Sequence, residues 1–334
     1  LKKETLEMRV DNHRRREAMN KSFWTSCLSR VLLAACLLAP AVAWADPVQE
    51  FRARINAATA EHASAAEPVA RIQDIVIPGL YGDIPLRLYD ASAAQPAPAI
   101  LYIHGAGWIG GSIASHDNIA RKLANELSAM VISVDYRLAP EFPYPTALEE
   151  TFVVLKWMAS HAGVVGLDAD RIAVAGDSAG GNLAAALALV TRDRKGPQLS
   201  AQVLINPALE LDAYEEKAPC IGTAADQAEF VDMMKFFTGL YVSPDYPYAL
   251  TYVSPLKTKD LNGLPPALVV TGGLDLLCPE GEAYVTRLKE AGVTAELLRV
   301  DDAGHYGVAW AAADPSVAPA LNATKAFLRQ VWGN

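Results

Sequence analysis

The chain has 334 residues, a formal net charge of −9 at pH 7, 51% hydrophobic residues and four cysteines. That length and apolar content can bury a large core, and the acidic balance argues against nucleic acid or an anionic membrane surface as a partner. Internal repeats, zinc-type Cys/His spacings and phosphate-binding glycine loops are absent from the sequence, so neither a metal nor another cofactor is expected.

The first eighteen residues are polar with the basic run Arg14-Arg15-Arg16, and an orderly pattern begins at Met19. Lys21 and Arg30 precede fifteen largely apolar residues, 31–45, that close on Ala43-Trp44-Ala45. A positive segment, an apolar segment and an A-x-A end describe a Sec-type signal peptide cleaved after Ala45, and hence a periplasmic or secreted bacterial protein. The apolar stretch is interrupted by Pro40 and falls short of the roughly 20 residues that span a bilayer, so stable membrane insertion is not expected. An uncleaved anchor is the competing reading. Residues 1–45 are thereby set apart from a folded domain over 46–334. They hold eight Lys/Arg and four Asp/Glu, so the remainder carries −13. Cys220 and Cys278 remain, either paired in an oxidising compartment or as two buried thiols.

Residues 48–67 read as helical and are followed by strands at 71–77 and 84–89. From there strands and helices alternate. Strands are predicted at 99–103, from 131, at 171–175 and at 201–205, with helices at 118–127, 147–160 and 182–190. This order predicts an α/β fold, a mostly parallel sheet covered by helices on both faces, with functional residues at its carboxyl edge. The regularity breaks between residues 207 and 265, where 230–242 reads as an amphipathic aromatic helix. Strands resume at 267–271 and 296–300.

Two strings sit at strand ends. Gly176-Asp177-Ser178-Ala179-Gly180 has the form G-x-S-x-G between a strand and an Ala/Leu-rich helix, which places Ser178 on a strained turn. Its glycines leave room for the serine hydroxyl to stand clear. His104-Gly105-Ala106-Gly107 follows the strand at 99–103 and has nearly the form of the HGGG loop, whose backbone N–H groups hold an oxyanion. Together they indicate acyl transfer. A serine needs a base, and the base an orienting acid. Of six histidines, His13 precedes the folded region and His104 belongs to the loop. His62, His116 and His161 sit in polar or helical stretches, where exposure is the default. His305 lies just past the last strand and can reach back over the carboxyl edge. Asp275, after the strand at 267–271, has the sequence order the acid requires. Asp301 and Asp302 read as polar turn residues, and Asp177 as support for the elbow.

These residues, with Tyr102-Ile103, Trp108, Asp135-Tyr136-Arg137-Leu138-Ala139-Pro140-Glu141 and Pro143-Tyr144-Pro145, make the chain resemble the hormone-sensitive-lipase-like carboxylesterases of the α/β-hydrolase superfamily. The resemblance covers the chain from about Arg71 onward. It implies an α/β-hydrolase fold with a helical cap formed by about 46–70 and 208–262, a surface excursion being the alternative. It also implies a triad of Ser178, Asp275 and His305, an oxyanion hole from Ala106, Gly107 and Ala179 shaped by Gly105, and structural support from the tract at 135–145. Two departures stand out. The family's second loop glycine is Ala106 here, which is strained if that position needs φ > 0 and otherwise shifts the loop slightly. The residue after His305 is Tyr306, not glycine.

The expected activity is hydrolysis of small-molecule acyl esters of short to medium chain, without a cofactor. A lactonase or polysaccharide deacetylase would use the same machinery, and a non-catalytic receptor could share the scaffold. In the cap, Trp108 of the loop together with Met233, Phe236 and Phe237 are candidates for the acyl pocket, the competing reading being that the helix residues pack inward.

Overall fold

Aliphatic and β-branched runs form the centre of the molecule, and their side chains are buried on both faces, as a covered parallel sheet requires. A computed structural model describes residues 45–62, 66–93, 95–212, 214, 224–247, 250–305 and 317–333. The signal-peptide stretch thus lies, but for Ala45, outside the described residues, as do Cys220 and Tyr306. The chain divides into two compact units, 1–53 and 54–334. The described part of the first is the opening of helix α1, Ala45–His62. Among the described residues no helix is long and apolar enough to cross a membrane.

In the second unit, among the described residues, eight strands form one sheet. They are β1 (Arg71–Ile77), β2 (Ile84–Asp90), β3 (Ala97–Ile103), β4 (Met130–Val134), β5 (Leu167–Asp177), β6 (Ala201–Ile205), β7 (Ala267–Gly272) and β8 (Ala295–Val300). The order is β1-β2-β4-β3-β5-β6-β7-β8. The first two pairings are antiparallel and the rest are parallel, so the strands from β3 onward and β4 end on one edge. Every residue of β3, β4, β6 and β7 is buried.

Helices α2 (Asp117–Leu127), α3 (Thr146–Ser160), the single turn α4 (Ala162–Val165), α5 (Ala179–Asp193), α6 (Ala224–Tyr241), α7 (Cys278–Glu290) and α8 (Val317–Trp332) complete the unit. Alternation along the strands assigns them to faces. Leu268 and Val270 of β7 share a cluster with Ile119 and Leu123 of α2 and with Phe327 and Leu328 of α8. Val269 and Thr271, pointing the other way, meet α7 at Gly281, where an added Cβ would lie 2.7 Å from the Thr271 methyl.

The predicted strands are present, with shifted borders. β5 starts four residues before the predicted 171, because Leu167 pairs with Ala97 across a register shift. α5 starts at Ala179 although Gly180 and Gly181 are poor helix formers. Helices α7 and α8 have no counterpart in the sequence reading. Pro279 opens α7 and Pro319 lies in the first turn of α8, positions where a missing N–H costs no intrahelical bond. His161 is exposed as expected. His116 is not. It is buried at the start of α2, because its ring faces the Asp177 carboxylate.

Candidate functional site

Ser178 separates β5 from α5 with φ 53° and ψ −117°. A non-glycine residue in that region costs about 1–3 kcal/mol and persists only where its surroundings over-determine it. Here the Ser178 N–H donates to the Ile205 carbonyl at 2.8 Å, and the Ser178 carbonyl accepts from Asn182 at 3.0 Å and Ala208 at 3.3 Å. The flanking glycines are steric necessities. A Cβ on Gly180 would sit 2.0 Å from the Ile103 carbonyl oxygen, and one on Gly176 would sit 2.4 Å from that of Gly180.

β3 delivers the second loop alongside. A Cβ on Gly105 would lie 2.4 Å from Asp177 Oδ2 and 2.7 Å from the Asp177 carbonyl oxygen, so this loop and the elbow touch where Gly105 lacks a side chain. Three consecutive residues then have positive φ: Ala106 at 84°, Gly107 at 64° and Trp108 at 61°. Ala106 therefore occupies the strained conformation conditionally expected of it. Among the described residues, the N–H groups of Ala106, Gly107 and Ala179 donate to no acceptor. Ala179 is the first residue of α5, where the helix leaves its N–H unsatisfied.

Both sides of the loop are braced. Behind it, the His104 ring stacks on Tyr136 at 4.2 Å, the Tyr136 hydroxyl donates to the His104 carbonyl at 2.8 Å, and Ala139 N–H donates to the Trp108 carbonyl at 3.0 Å. The tract at 135–145 thus contributes backbone and aromatic support. In front, α6 lies against the loop. Tyr241 stacks on Trp108 at 4.7 Å, and the Phe237 ring covers Gly107 so closely that a Cβ there would be 2.9 Å from it. Trp108, Met233 and Phe237 are buried, while Phe236 is half-buried beside Phe237.

Asp275 follows β7 through a tight turn and is buried, with its Oδ1 accepting the Leu277 N–H at 3.0 Å. Its Oδ2 lies 2.9 Å from His305 Nδ1. Burial of the imidazole pulls its pKa down, but the charge and hydrogen bond of Asp275 outweigh that and leave it above the ordinary histidine value. Asp301 and Asp302 are exposed, Asp301 pairing with Arg299 at 2.9 Å.

Beneath both loops lies a buried polar cluster. Asp177 Oδ1 accepts from the Tyr102 hydroxyl at 2.7 Å, and Oδ2 is 3.4 Å from His116 Nε2. Burial would raise the Asp177 carboxyl, yet His116, Tyr102 and His104 hold it below the usual carboxylate range. His104 is instead pushed down to about 3 by burial and by His116 beside it, so its ring is neutral. The sequence reading missed His116, whose signal was its place in the tripeptide Ser115-His116-Asp117, between a loop and an amphipathic helix. Among the described residues, no cluster of three His, Cys, Asp or Glu side chains could hold a metal ion.

Residues 100–308 match the family model described as the alpha/beta hydrolase fold. The chain belongs to this family, in its hormone-sensitive-lipase-like branch. Among relatives of this α/β-hydrolase, an arylesterase of Saccharolobus solfataricus is 37% identical over 260 residues, 77% of this chain and 83% of that protein. Carboxylesterase NlhH of Mycobacterium tuberculosis is 36% identical over 293 residues, 86% and 90% of the two chains. Of the solved structures, a hyperthermophilic esterase from Pyrobaculum calidifontis superimposes with a TM-score of 0.78 at 37% identity, covering 85% of this chain and 94% of its own.

The strain at Ala106 is measurable. Ala106→Gly relieves about 1–2 kcal/mol of left-handed strain, against about 0.4–1 kcal/mol of added unfolded-chain entropy. Urea unfolding is therefore expected to show a net gain of about 0.5–1 kcal/mol, and a loss of stability would mean that alanine is at ease in this loop.

Proposed function

We propose that this α/β-hydrolase is a serine carboxylesterase acting through Ser178, His305 and Asp275. The observation that carries the reading is the 2.9 Å contact of His305 Nδ1 with Asp275 on the sheet edge that bears the strained Ser178. Relatives named arylesterase and carboxylesterase support the reaction class. His305 Nδ1–H donates to Asp275, which sets the tautomer whose unprotonated Nε2 acts as the base. The Ser178 Oγ attacks the ester carbonyl and its proton passes to Nε2. The carbonyl oxygen becomes an oxyanion stabilised by the N–H groups of Ala106, Gly107 and Ala179. Collapse breaks the ester C–O bond, and the Nε2 proton leaves with the alcohol. Water then attacks the acyl-enzyme, giving its proton to Nε2, and Ser178 recovers a proton as the carboxylic acid departs.

Helix α6 serves in this reading as part of a cap over the acyl site. Phe237, against Gly107, closes the pocket near the reacting carbonyl, with Met233 and Phe236 along the same helix and Trp108, stacked on Tyr241, as a wall. Such a pocket takes short to medium acyl chains. The leader pattern in residues 19–45 supports export to the periplasm or medium, with Asp46 as the mature amino terminus.

Ser178→Ala is expected to leave only about 10³–10⁴-fold acceleration over water, and an organophosphonate should label Ser178 in the parent enzyme. Labelling at a different serine would refute the assignment. Asp275→Asn is expected to lower kcat by up to about 10⁴-fold. The base works only when neutral, so kcat/KM falls on acidification through the raised His305 pKa. Removing the Asp275 charge moves that acidic limb to lower pH, whereas an unmoved limb would assign the acid elsewhere.

On p-nitrophenyl esters, each methylene that fits should raise kcat/KM about fourfold, since its burial is worth about 0.8 kcal/mol. Activity should then drop once the pocket is full, and Phe237→Ala should move the optimum to longer chains. An unchanged profile in that variant would remove Phe237 from the pocket. Expressed from Met19 in a Gram-negative host, the protein should appear in the periplasm with Asp46-Pro47-Val48 at its amino terminus. Edman sequencing that reads through residues 31–45 in the membrane fraction would make the leader an anchor.

A further inference from the structure

One short tract touches all three loops of the proposed triad. Residues 205–208 leave the carboxyl end of β6, between the elbow on one side and β7 on the other. Ile205 and Ala208 bind the two backbone groups of Ser178. Between them Asn206 is fully buried, with φ 41°. Its backbone N–H donates to the Val270 carbonyl at 2.8 Å. Its side chain divides between the other two loops. Oδ1 accepts the Gly272 N–H at 3.0 Å, and Nδ2 donates to the Gly304 carbonyl at 3.3 Å. These partners assign the amide orientation, because a backbone N–H requires an acceptor and a carbonyl a donor.

Both contacts lie next to the chemistry. Gly272 begins the turn to the acid, since its carbonyl accepts the Asp275 N–H at 3.0 Å. Gly304 is the residue before His305. The His305 loop follows β8, an edge strand, and is also tied to the acid's turn by the bonds of Gly273 to Val300 at 2.8 Å and Leu274 to Ala303 at 2.9 Å. Those ties join the β8 end to the acid's turn. The Asn206 amide refers both loops to β6, the strand whose end holds Ser178.

We infer that Asn206 is a positioning residue that fixes the imidazole of His305 against Asp275 and toward Ser178. This rests on the triad proposed above. The site demands one donor and one acceptor at full burial on a short side chain. An aspartate offers two acceptors, and an aliphatic residue offers neither. Each would leave a buried backbone group unpaired beside the base.

The test compares Asn206→Ala and Asn206→Asp with the parent and with Ser178→Ala, measuring kcat, KM, the pH profile and thermal unfolding. In Asn206→Ala the base drifts from its acid, so kcat is expected to fall by roughly 10²-fold, as small misplacements of reacting groups do. KM should stay within about twofold of the parent value, because Asn206 does not face the substrate. The charges acting on the ring are those of Asp275, Asp177 and Glu280. Loosening the first of these moves the acidic limb to lower pH. Asn206→Asp keeps the Oδ1 acceptor and the shape, so it serves if the alanine variant does not fold. It should lose kcat comparably while its added carboxylate moves the limb upward. A folded variant with kcat within about twofold of the parent overturns the inference, whatever its melting temperature. In Asn206→Ala a loss of kcat with an unmoved limb overturns it too, since the contact of His305 with Asp275 would be intact. An active Ser178→Ala refutes the triad instead, and so separates the two failures.

Discussion

Strands β3 and β5 run side by side in parallel and end level, with Ile103 opposite Gly176. From that register the geometry of the site follows. The loop leaving β3 and the turn leaving β5 must occupy the same few ångströms, and they can do so only where side chains are missing. Gly105 meets Asp177, and Gly180 meets the carbonyls of Ile103 and His104. A register slip of one residue would turn every side chain of either strand to the opposite face. It would also set the N–H groups of Ala106 and Gly107 away from Ser178. The chemistry is thus placed by backbone pairing, and the side chains are selected to permit it.

The contact of Gly105 with Asp177 needs electrostatic support. Asp177 places a carboxylate in a fully buried position, an expensive arrangement unless charge and hydrogen bonds compensate. Tyr102 supplies a hydroxyl from β3 itself, and His116 a ring from the start of α2. The cluster therefore fastens the two strand ends to the helix that covers them, and the neutral His104 ring fills the space between.

The motifs at 104–107 and 176–180 and the strands that carry them are legible because each depends on local sequence. Glycine spacing, an apolar run and a strand end are all visible within ten residues. The histidine at 116 was not, because its burial comes from a partner 61 positions away in the chain. Asn206 escaped for the same reason. A polar residue between Ile205 and Pro207 looks like the start of a turn, and its two contacts lie 66 and 98 residues distant. Ala106 was visible as a departure, but only the backbone angle of 84° decides that the position is left-handed. The aromatic residues of α6 marked a helix without saying which of them meet the loop. Phe237 and Tyr241 do, four residues apart on one face of that helix.

The proposed base, His305, hangs from the border of the sheet. Among the described residues β8 pairs with β7 alone, and Glu296, Leu297 and Arg299 along it are exposed. The proposed nucleophile, Ser178, stands at the centre, between strands β3 and β6 that are buried along their length. Native proteins open first where neighbours are fewest, and such openings need not involve the rest of the fold. Fraying of β8 under mild denaturant is therefore expected to release His305 while β3, β5 and the elbow keep their hydrogen-exchange protection. A half-life of inactivation would then time the opening of one border, and be shorter than the lifetime of the folded core.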